Sequence, residues 1–336
     1  MTILIIGAGS IGQRHLINIK KIKRKEEIIL VEKNNLVRKR ISDEHSITSY
    51  STIEKALIKH NISSAFICTP SNMHLKQLKT LIKAKCHIFI EKPLSLNFSE
   101  IKKIEKKILG YRYLIMVACN LRFHPGVLKL KKYVDDNMIG KIYYARSQFS
   151  HYLPNWRANK NYKKFYSSNS NEGGGIILDA IHEPDYLYWI FGDIKLVSAF
   201  SNNISELNID VEDVAEYTLF HKKNVYSHVH VDYLRRDKIR SCEIIGTKGT
   251  ISWESKGKNP ENIKIKMFNQ ETQKTKILFK SKNYDLNKTY ILQLKHFFDC
   301  IDSGRKNMNN FKEASKLINV MDKIKLSSIT KKFVKV

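Results

Sequence analysis

Short apolar runs alternate with helical patterns over the first third of the chain. Ile3–Ile6, Ile28–Val31, Ser64–Cys68, His87–Ile90 and Leu114–Val117 read as continuously apolar strands. Between them Ile11 to about Lys23, Asn72–Lys83 and Ser99–Leu109 read as helices. This alternation predicts a parallel sheet covered on both faces, the doubly wound α/β architecture.

The pattern changes near Asn120. Beyond it lie longer segments rich in aromatic and β-branched residues: Ile142–Ser150, Lys195–Ser201, Ala215–Phe220, Val225–Tyr233, Ser241–Ile245 and Ile263–Phe268. Such strands suit an open-faced, largely antiparallel sheet in an α+β domain. Gly246-Thr247-Lys248-Gly249 reads as a turn, and helices are expected near Asp185–Ile190 and Tyr290–Ile301. The domains expected are therefore 1–120 and 121–336. No internal repeat or low-complexity linker interrupts them.

Composition narrows the function classes. The 336 residues, 42% of them hydrophobic, suffice for two cores. No run approaches the ~20 apolar residues of a membrane span, and Met1–Ile6 runs straight into a glycine loop without a leader pattern. Cys68, Cys86, Cys119, Cys242 and Cys300 are scattered and odd in number, so neither a disulfide frame nor a zinc site is expected. A cytoplasmic protein is the expectation. The net charge of +27 raises nucleic acid as a partner, but lysine is spread along the whole chain without a basic tail or nucleic-acid motif. It reads as a solubilising surface, with neither nucleic acid nor membrane as partner. His228 and His230 alternate on one strand face without an identifiable acidic or thiol partner, so no metal is expected.

Candidate chemistry begins at Gly7-Ala8-Gly9-Ser10-Ile11-Gly12. This GxGxxG follows a strand and opens a helix. The first glycine permits a tight turn, the second lets backbone approach a pyrophosphate, and the third allows close helix–strand packing. Free N–H groups at the helix start face the anion. Glu32 ends the second strand, where an acid holds the ribose hydroxyls of NAD. Lys33, Arg38 and Arg40 follow closely and leave NADP open.

Three further segments accompany that loop: Thr69-Pro70-Ser71-Asn72-Met73-His74, Glu91-Lys92-Pro93, and Gly173-Gly174-Gly175-Ile176-Ile177-Leu178-Asp179-Ala180-Ile181-His182. Together, in this order, they resemble the signatures of the Gfo/Idh/MocA oxidoreductases, the glucose–fructose oxidoreductase and inositol dehydrogenase group. The motifs span Met1 to about Gly192. The resemblance implies an NAD-binding Rossmann domain, then a substrate-binding and oligomerisation domain, with the active site between them. It implies hydride transfer between nicotinamide and a hydroxyl-bearing carbon of a sugar or cyclitol. It also implies that Thr69, Pro70, Ser71 and His74 line the cofactor, that Lys92 belongs to the catalytic centre beside Glu91, and that Asp179 and His182 form the substrate-domain pair. The segment from Asn120 to Gly192 is most similar to members from bacterial surface-polysaccharide loci, which implies a role in surface-polysaccharide biosynthesis; Arg122 and Arg157, among several tyrosines, suit a negatively charged, nucleotide-linked sugar.

The residues support these roles independently. Oxidising a secondary alcohol removes a hydride and a hydroxyl proton. A histidine such as His182 suits the proton transfer, and a cation such as Lys92 suits developing alkoxide charge. Asp179 could orient the imidazole or the substrate. Two departures from the family pattern stand out: the Asp179–His182 spacing is one residue shorter than in many relatives, and Pro184 follows closely. Proline is tolerated in a first helical turn but not further in, so spacing alone does not place the pair on one helical face.

Arg122, Tyr152, Trp156, Arg157 and Tyr166 are candidate substrate contacts; the aromatic residues and Arg157 also suit a packed loop, and Arg122 equally suits a cofactor phosphate or a domain-spanning salt bridge. Val225, Val229 and Val231, beside Tyr226 and Tyr233, suggest an apolar sheet face through which a homodimer or homotetramer forms. A sugar or nucleotide-sugar dehydrogenase is the leading reading. A non-catalytic NAD(H) sensor of the same fold is the alternative.

Overall fold

The computed structural model describes residues 1–157 and 160–336. It divides into two compact units: Met1–Cys119 with Tyr290–Ile318, and Asn120–Thr289 with Asn319–Val336.

The first unit runs β1 (Thr2–Ile6), α1 (Ser10–Lys21), β2 (Glu27–Val31), α2 (Asn35–His45), β3 (Ser49–Tyr50), α3 (Ile53–Lys59), β4 (Ile62–Ile67), α4 (His74–Ala84), β5 (His87–Ile90), α5 (Phe98–Ile108) and β6 (Ile115–Val117). All six strands are parallel, in the order β3-β2-β1-β4-β5-β6. This is the dinucleotide-binding order, which reverses direction beside β1 and leaves a crevice at the strands' carboxyl ends. Ile3–Ile5, Ala65–Ile67 and Ile88–Ile90 have no exposed surface, which is why their segments lack polar alternation.

The second unit holds α6 (Pro125–Asp135), β7 (Ile142–Ser150), α7 (Ile176–Asp179), α8 (His182–Phe191), β8 (Ile194–Asn202), β9 (Val214–His221), β10 (Tyr226–Asp232), β11 (Ile239–Gly246), β12 (Gly249–Lys256), β13 (Glu261–Asn269) and β14 (Lys274–Tyr284). The chain ends with α9 (Asn287–Ser303), α10 (Phe311–Thr330) and β15 (Val334–Lys335). Nine strands form one sheet in the order β14-β13-β12-β11-β7-β10-β9-β8-β15, antiparallel except where β7 meets β10.

Two expectations are corrected. The segment 121–336 is not one domain, because Tyr290–Ile318 belongs to the first unit. Leu294, Phe297 and Phe298 are buried there, and the Phe297 ring packs on Phe66 and Phe89 at 5.4 Å. Each such ring contributes roughly 1.5–3 kcal/mol by leaving water. The apolar residues in and flanking β10 also lie on the other face from the one expected. Val225, Val229, Val231 and Tyr233 are buried at 6, 1, 0 and 0% exposure, on the side that α7 and α8 cover. The open face is polar and charged. It carries Arg146, Gln148, Glu216, His228, His230, Glu243, Glu254, Lys264 and Lys266 around a shallow concavity of about 600 Å³.

Candidate active site

The glycine loop has the geometry its three positions require. Gly7 has φ +97°, and a Cβ on it would meet the Cys68 carbonyl at 2.9 Å. A Cβ on Gly12 would lie 1.9 Å from the Gly7 carbonyl oxygen. A Cβ on Gly9 would meet nothing within 4 Å. Gly9 and Ser10 are exposed at the start of α1, whose N-terminus has no side-chain cap, while Ile11 is half-buried. An open, uncapped helix start with a glycine at its edge fits a pyrophosphate. Glu32 anchors the loop from the end of β2: its Oε2 accepts from Ala8 N at 2.9 Å and its Oε1 from Asn34 N at 2.8 Å. Arg38 is held on the Glu32 carbonyl and Asn35, and Arg40 faces Glu44, so both cations are engaged locally.

The second loop follows β4. Thr69 donates to Gln77 at 2.7 Å, Pro70 is exposed and Ser71 is buried. His74, expected to line the cofactor, is corrected: it has no exposed surface. Its Nδ1 is 2.8 Å from the Pro93 carbonyl and its Nε2 is 2.9 Å from the Thr69 carbonyl, so it braces two loops. Burial pushes its pKa below the usual histidine value.

Lys92 lies just past β5, half-buried, at the same carboxyl edge as the glycine loop. Glu91 is a structural partner: its Oε1 is 2.6 Å from Nε2 of His15, a histidine with no exposed surface, and its Oε2 accepts from Lys92 N at 3.3 Å. Three further residues join this group that sequence reasoning did not single out: Arg14, His15 and Tyr290. The Arg14 guanidinium lies 4.5 Å from the Tyr290 ring centre. Packing raises the Tyr290 phenol above its usual pKa, and the charges of Arg14 and Lys92 pull it back.

In the second unit the triple glycine lets the chain pass where side chains cannot. A Cβ on Gly174 would lie 2.4 Å from the Tyr166 carbonyl oxygen, and one on Gly175, at φ +102°, the same distance from the Glu212 carboxylate. Glu212 closes the start of α7, its carbonyl accepting from Ile176 N and its carboxylate from Ile177 N. Asp179 ends that short helix, and His182 begins α8 with Pro184 in its first turn. The two therefore sit on separate helices, with His182 half-buried.

The Asp179 carboxylate receives two phenols. Tyr166 donates to Oδ1 and Tyr233 to Oδ2, each at 2.6 Å. Tyr233 is fully buried, and burial beside Asp179 keeps its phenol protonated well above the ordinary range. The sequence pattern marks Tyr233 only as part of a sheet face. Nothing local marks a tyrosine at a strand end as a partner for an aspartate 54 residues away.

The other candidate substrate contacts divide. Arg122 is corrected: it forms a two-pronged ion pair with Asp185, at 2.9 and 2.8 Å, and both side chains are 1% exposed. It is an internal strut of the second unit. The Trp156 N–H is given to the His151 carbonyl at 2.9 Å. Arg157 is exposed, with its guanidinium 4.8 Å from the Phe165 ring centre. The half-buried Tyr152 ring lies under the Arg236 guanidinium, 3.3 Å from its centre. Among the described residues no cluster of ligating side chains could hold a metal ion, and no helix is long and apolar enough to cross a membrane.

Residues 1–117 match the model for the oxidoreductase family, NAD-binding Rossmann fold, and residues 127–252 match the GFO/IDH/MocA C-terminal domain. An uncharacterized oxidoreductase of Bacillus subtilis is 29% identical over 256 residues, covering 73% of this chain and 71% of the relative. A myo-inositol 2-dehydrogenase of Thermotoga maritima is 27% identical over 198 residues, covering 57% of this chain but only 55% of the relative. A levoglucosan dehydrogenase, solved with NADH and levoglucosan, shares the fold with a TM-score of 0.88 at 19% identity, covering 100% of this chain and 99% of that one. The chain belongs to the Gfo/Idh/MocA family of oxidoreductases, and its first unit is that family's NAD-binding Rossmann domain.

Proposed function

We propose that the chain is a dehydrogenase, or a reductase in the reverse direction, acting on a hydroxyl-bearing carbon of a sugar or nucleotide-linked sugar. The observation that carries this reading is the open glycine loop sharing one sheet edge with Lys92. Bound NAD supplies the site for the transferred hydride. The Lys92 ammonium stabilises the alkoxide that forms as the hydroxyl proton leaves. His182 takes that proton. Asp179 orients rather than accepts: both its oxygens already hold phenol hydrogens, and one would have to be released for it to take another. Glu32 favours NAD over NADP, since a carboxylate at the loop repels a 2′-phosphate.

The relatives' names, an inositol dehydrogenase and a levoglucosan dehydrogenase, point to the same substrate class. A nucleotide-linked substrate would fit a place in surface-polysaccharide synthesis. The five free cysteines suit the cytoplasm. A homodimer or homotetramer through this sheet would have to use its polar, charged face, since the apolar side is already covered.

The test is a panel of polyols, free sugars and nucleotide-linked sugars with NAD, followed by the absorbance of the reduced nicotinamide. Lys92→Ala should bind NADH almost unchanged and lose roughly 100- to 1000-fold in turnover. His182→Ala should remove the limb that titrates near neutral pH from the rate profile. A protein that binds NADH and turns over nothing on the panel is the NAD(H) sensor instead.

A further inference from the structure

The stretch between β10 and β11 and into the latter, Tyr233 to Arg240, holds four cations: Arg235, Arg236, Lys238 and Arg240. Three have carboxylate partners. Arg235 meets Asp237 at 2.8 Å, Lys238 meets Glu261 at 2.5 Å, and Arg240 meets Glu183 at 2.7 Å. Arg236 forms no ion pair among the described residues and lies exposed over the Tyr152 ring. Lys258 is exposed and also without a carboxylate; its ammonium donates to the Asn155 carbonyl at 3.0 Å.

A second observation lies beside these charges. His151 is only 8% exposed, and its buried Nε2 has no hydrogen-bond partner among the described residues. Burial, with the charges of Lys238, Lys258 and Arg240, lowers its pKa to about 4. The imidazole is therefore neutral, and the charges acting on it are those of Lys238 and Arg240, each paired with a carboxylate, and of Lys258, which has none. An unsatisfied buried polar atom costs about 1–3 kcal/mol, a cost that an arriving hydrogen-bonding group would relieve.

The patch is tied to Asp179 inside the same unit. His151 N donates to the Asp232 carbonyl, Tyr152 N to that of Arg235, and Leu153 N to that of Tyr233. Trp156 stacks on His151 at 5.8 Å and meets Tyr233 edge-on at 5.3 Å. Tyr233 in turn holds Asp179. Three residues of chain span at most about 11 Å, so the backbone of Arg236 stays within reach of a sugar ring and one attached group placed at Tyr233.

We propose that Arg236 and Lys258, with the buried His151, form an anion subsite that recognises a negatively charged group on the substrate, either a carboxylate or a phosphate. The proposal rests on reading the second unit as the substrate-binding half. A guanidinium held 3.3 Å over an aromatic ring is preorganised to grip two oxygens of one oxyanion, and a lysine adds a point charge. Arg122 cannot serve, because Asp185 occupies it.

The full chain, loaded with NADH, is titrated calorimetrically with glucose, glucuronate, glucose 1-phosphate and UDP-glucose. The anionic probes should bind about tenfold or more tighter than glucose, the gain expected of one charged hydrogen bond. The advantage should shrink at high salt. The double variant Arg236→Ala/Lys258→Ala should lose it while keeping its affinity for NADH, and Lys256→Ala should retain it. A gain confined to glucuronate identifies a carboxylate site; a gain confined to the phosphates identifies a phosphate site. Equal binding of glucose and the anions, an advantage that survives the double variant, or no binding by any probe overturns the inference. Turnover of uncharged polyols judges the dehydrogenase reading separately.

Discussion

The phenol of Tyr233 lies 2.6 Å from Oδ2 of Asp179, across 54 residues of sequence and with no exposed surface of its own. Tyr166 holds the other oxygen at the same distance. The carboxylate is thereby fixed in orientation by two groups from different segments. Its direction is a property of the second unit's packing rather than of the α7 helix that carries it.

Tyr233→Phe tests this. It leaves one oxygen of a nearly buried carboxylate short of a donor, at a cost of about 1–3 kcal/mol. The expected outcome is a drop of that size in urea unfolding, a fall of about tenfold or more in turnover, and unchanged affinity for NADH, whose loop lies in the other unit. Wild-type turnover in this variant would remove Tyr233 from the site.

The glycine loop offers a paired comparison. Gly12→Ala puts a Cβ 1.9 Å from a backbone oxygen, where no rotamer can relieve the clash. It should destabilise by about 3 kcal/mol or more. Gly9→Ala meets nothing within 4 Å and should melt like the wild type. Its methyl group instead occupies the space a pyrophosphate would take, so the dissociation constant for NADH should rise by roughly 10- to 100-fold, as for loss of one charged hydrogen bond. Calorimetric melting and fluorescence titration separate the two effects, and equal behaviour of the two variants would contradict the assigned roles.

Arg122→Ala would leave the Asp185 carboxylate buried and alone, which costs about 3–5 kcal/mol. Replacing both partners by apolar residues of similar size, as in Arg122→Met/Asp185→Leu, should recover most of that loss. Thermal melting of the single and double variants checks both halves. A stable single variant with a raised KM would return Arg122 to the substrate.

How much of this was legible depends on the range of each interaction. The strand before Gly7, the acid at Glu32 and the turn at Gly246–Gly249 are local patterns, and the paired β11 and β12 strands meet at those two glycines. The β14 strand is hidden in the sequence because Lys274, Lys276, Lys280 and Lys282 interrupt its apolar residues. Lysines of this kind protect an edge strand from pairing with another chain, which makes the strand look like a loop in sequence. Helix α10 does carry a legible signal, since Leu317, Ile318, Met321 and Ile324 recur at helical spacing along it. The pairs Arg122–Asp185 and Tyr233–Asp179 are different in kind. Their partners are 63 and 54 residues apart, and only the folded sheet brings them together. The valines of β10 show the same limit: alternation separates two faces of a strand but does not say which one is covered.

The same limit hid the partners of His230. Glu216 stands opposite it on β9, and Asp232 follows two residues later on β10. The imidazole lies between them, 2.5 Å from Glu216 and 2.7 Å from Asp232. These hydrogen bonds, that to Asp232 first, raise its pKa from 6.5 to about 9 against the opposing effect of burial. A base whose folded pKa is raised binds its proton more tightly when folded. Its contribution to stability is therefore complete below pH 6.5 and is lost as pH rises through about 9. One-third of the side chain is exposed, at 33%, so water screens the pair. After that discount roughly 1–2 kcal/mol remains. Urea unfolding at closely spaced pH values should show wild-type stability falling between neutral pH and about pH 9.5, relative to His230→Gln, which cannot titrate. Other groups contribute equally to both proteins, so the difference curve isolates this one. A flat difference across that window, or one that grows on acidification instead, would mean that His230 is neutral in the folded protein and that the two carboxylates do not hold a charge between them.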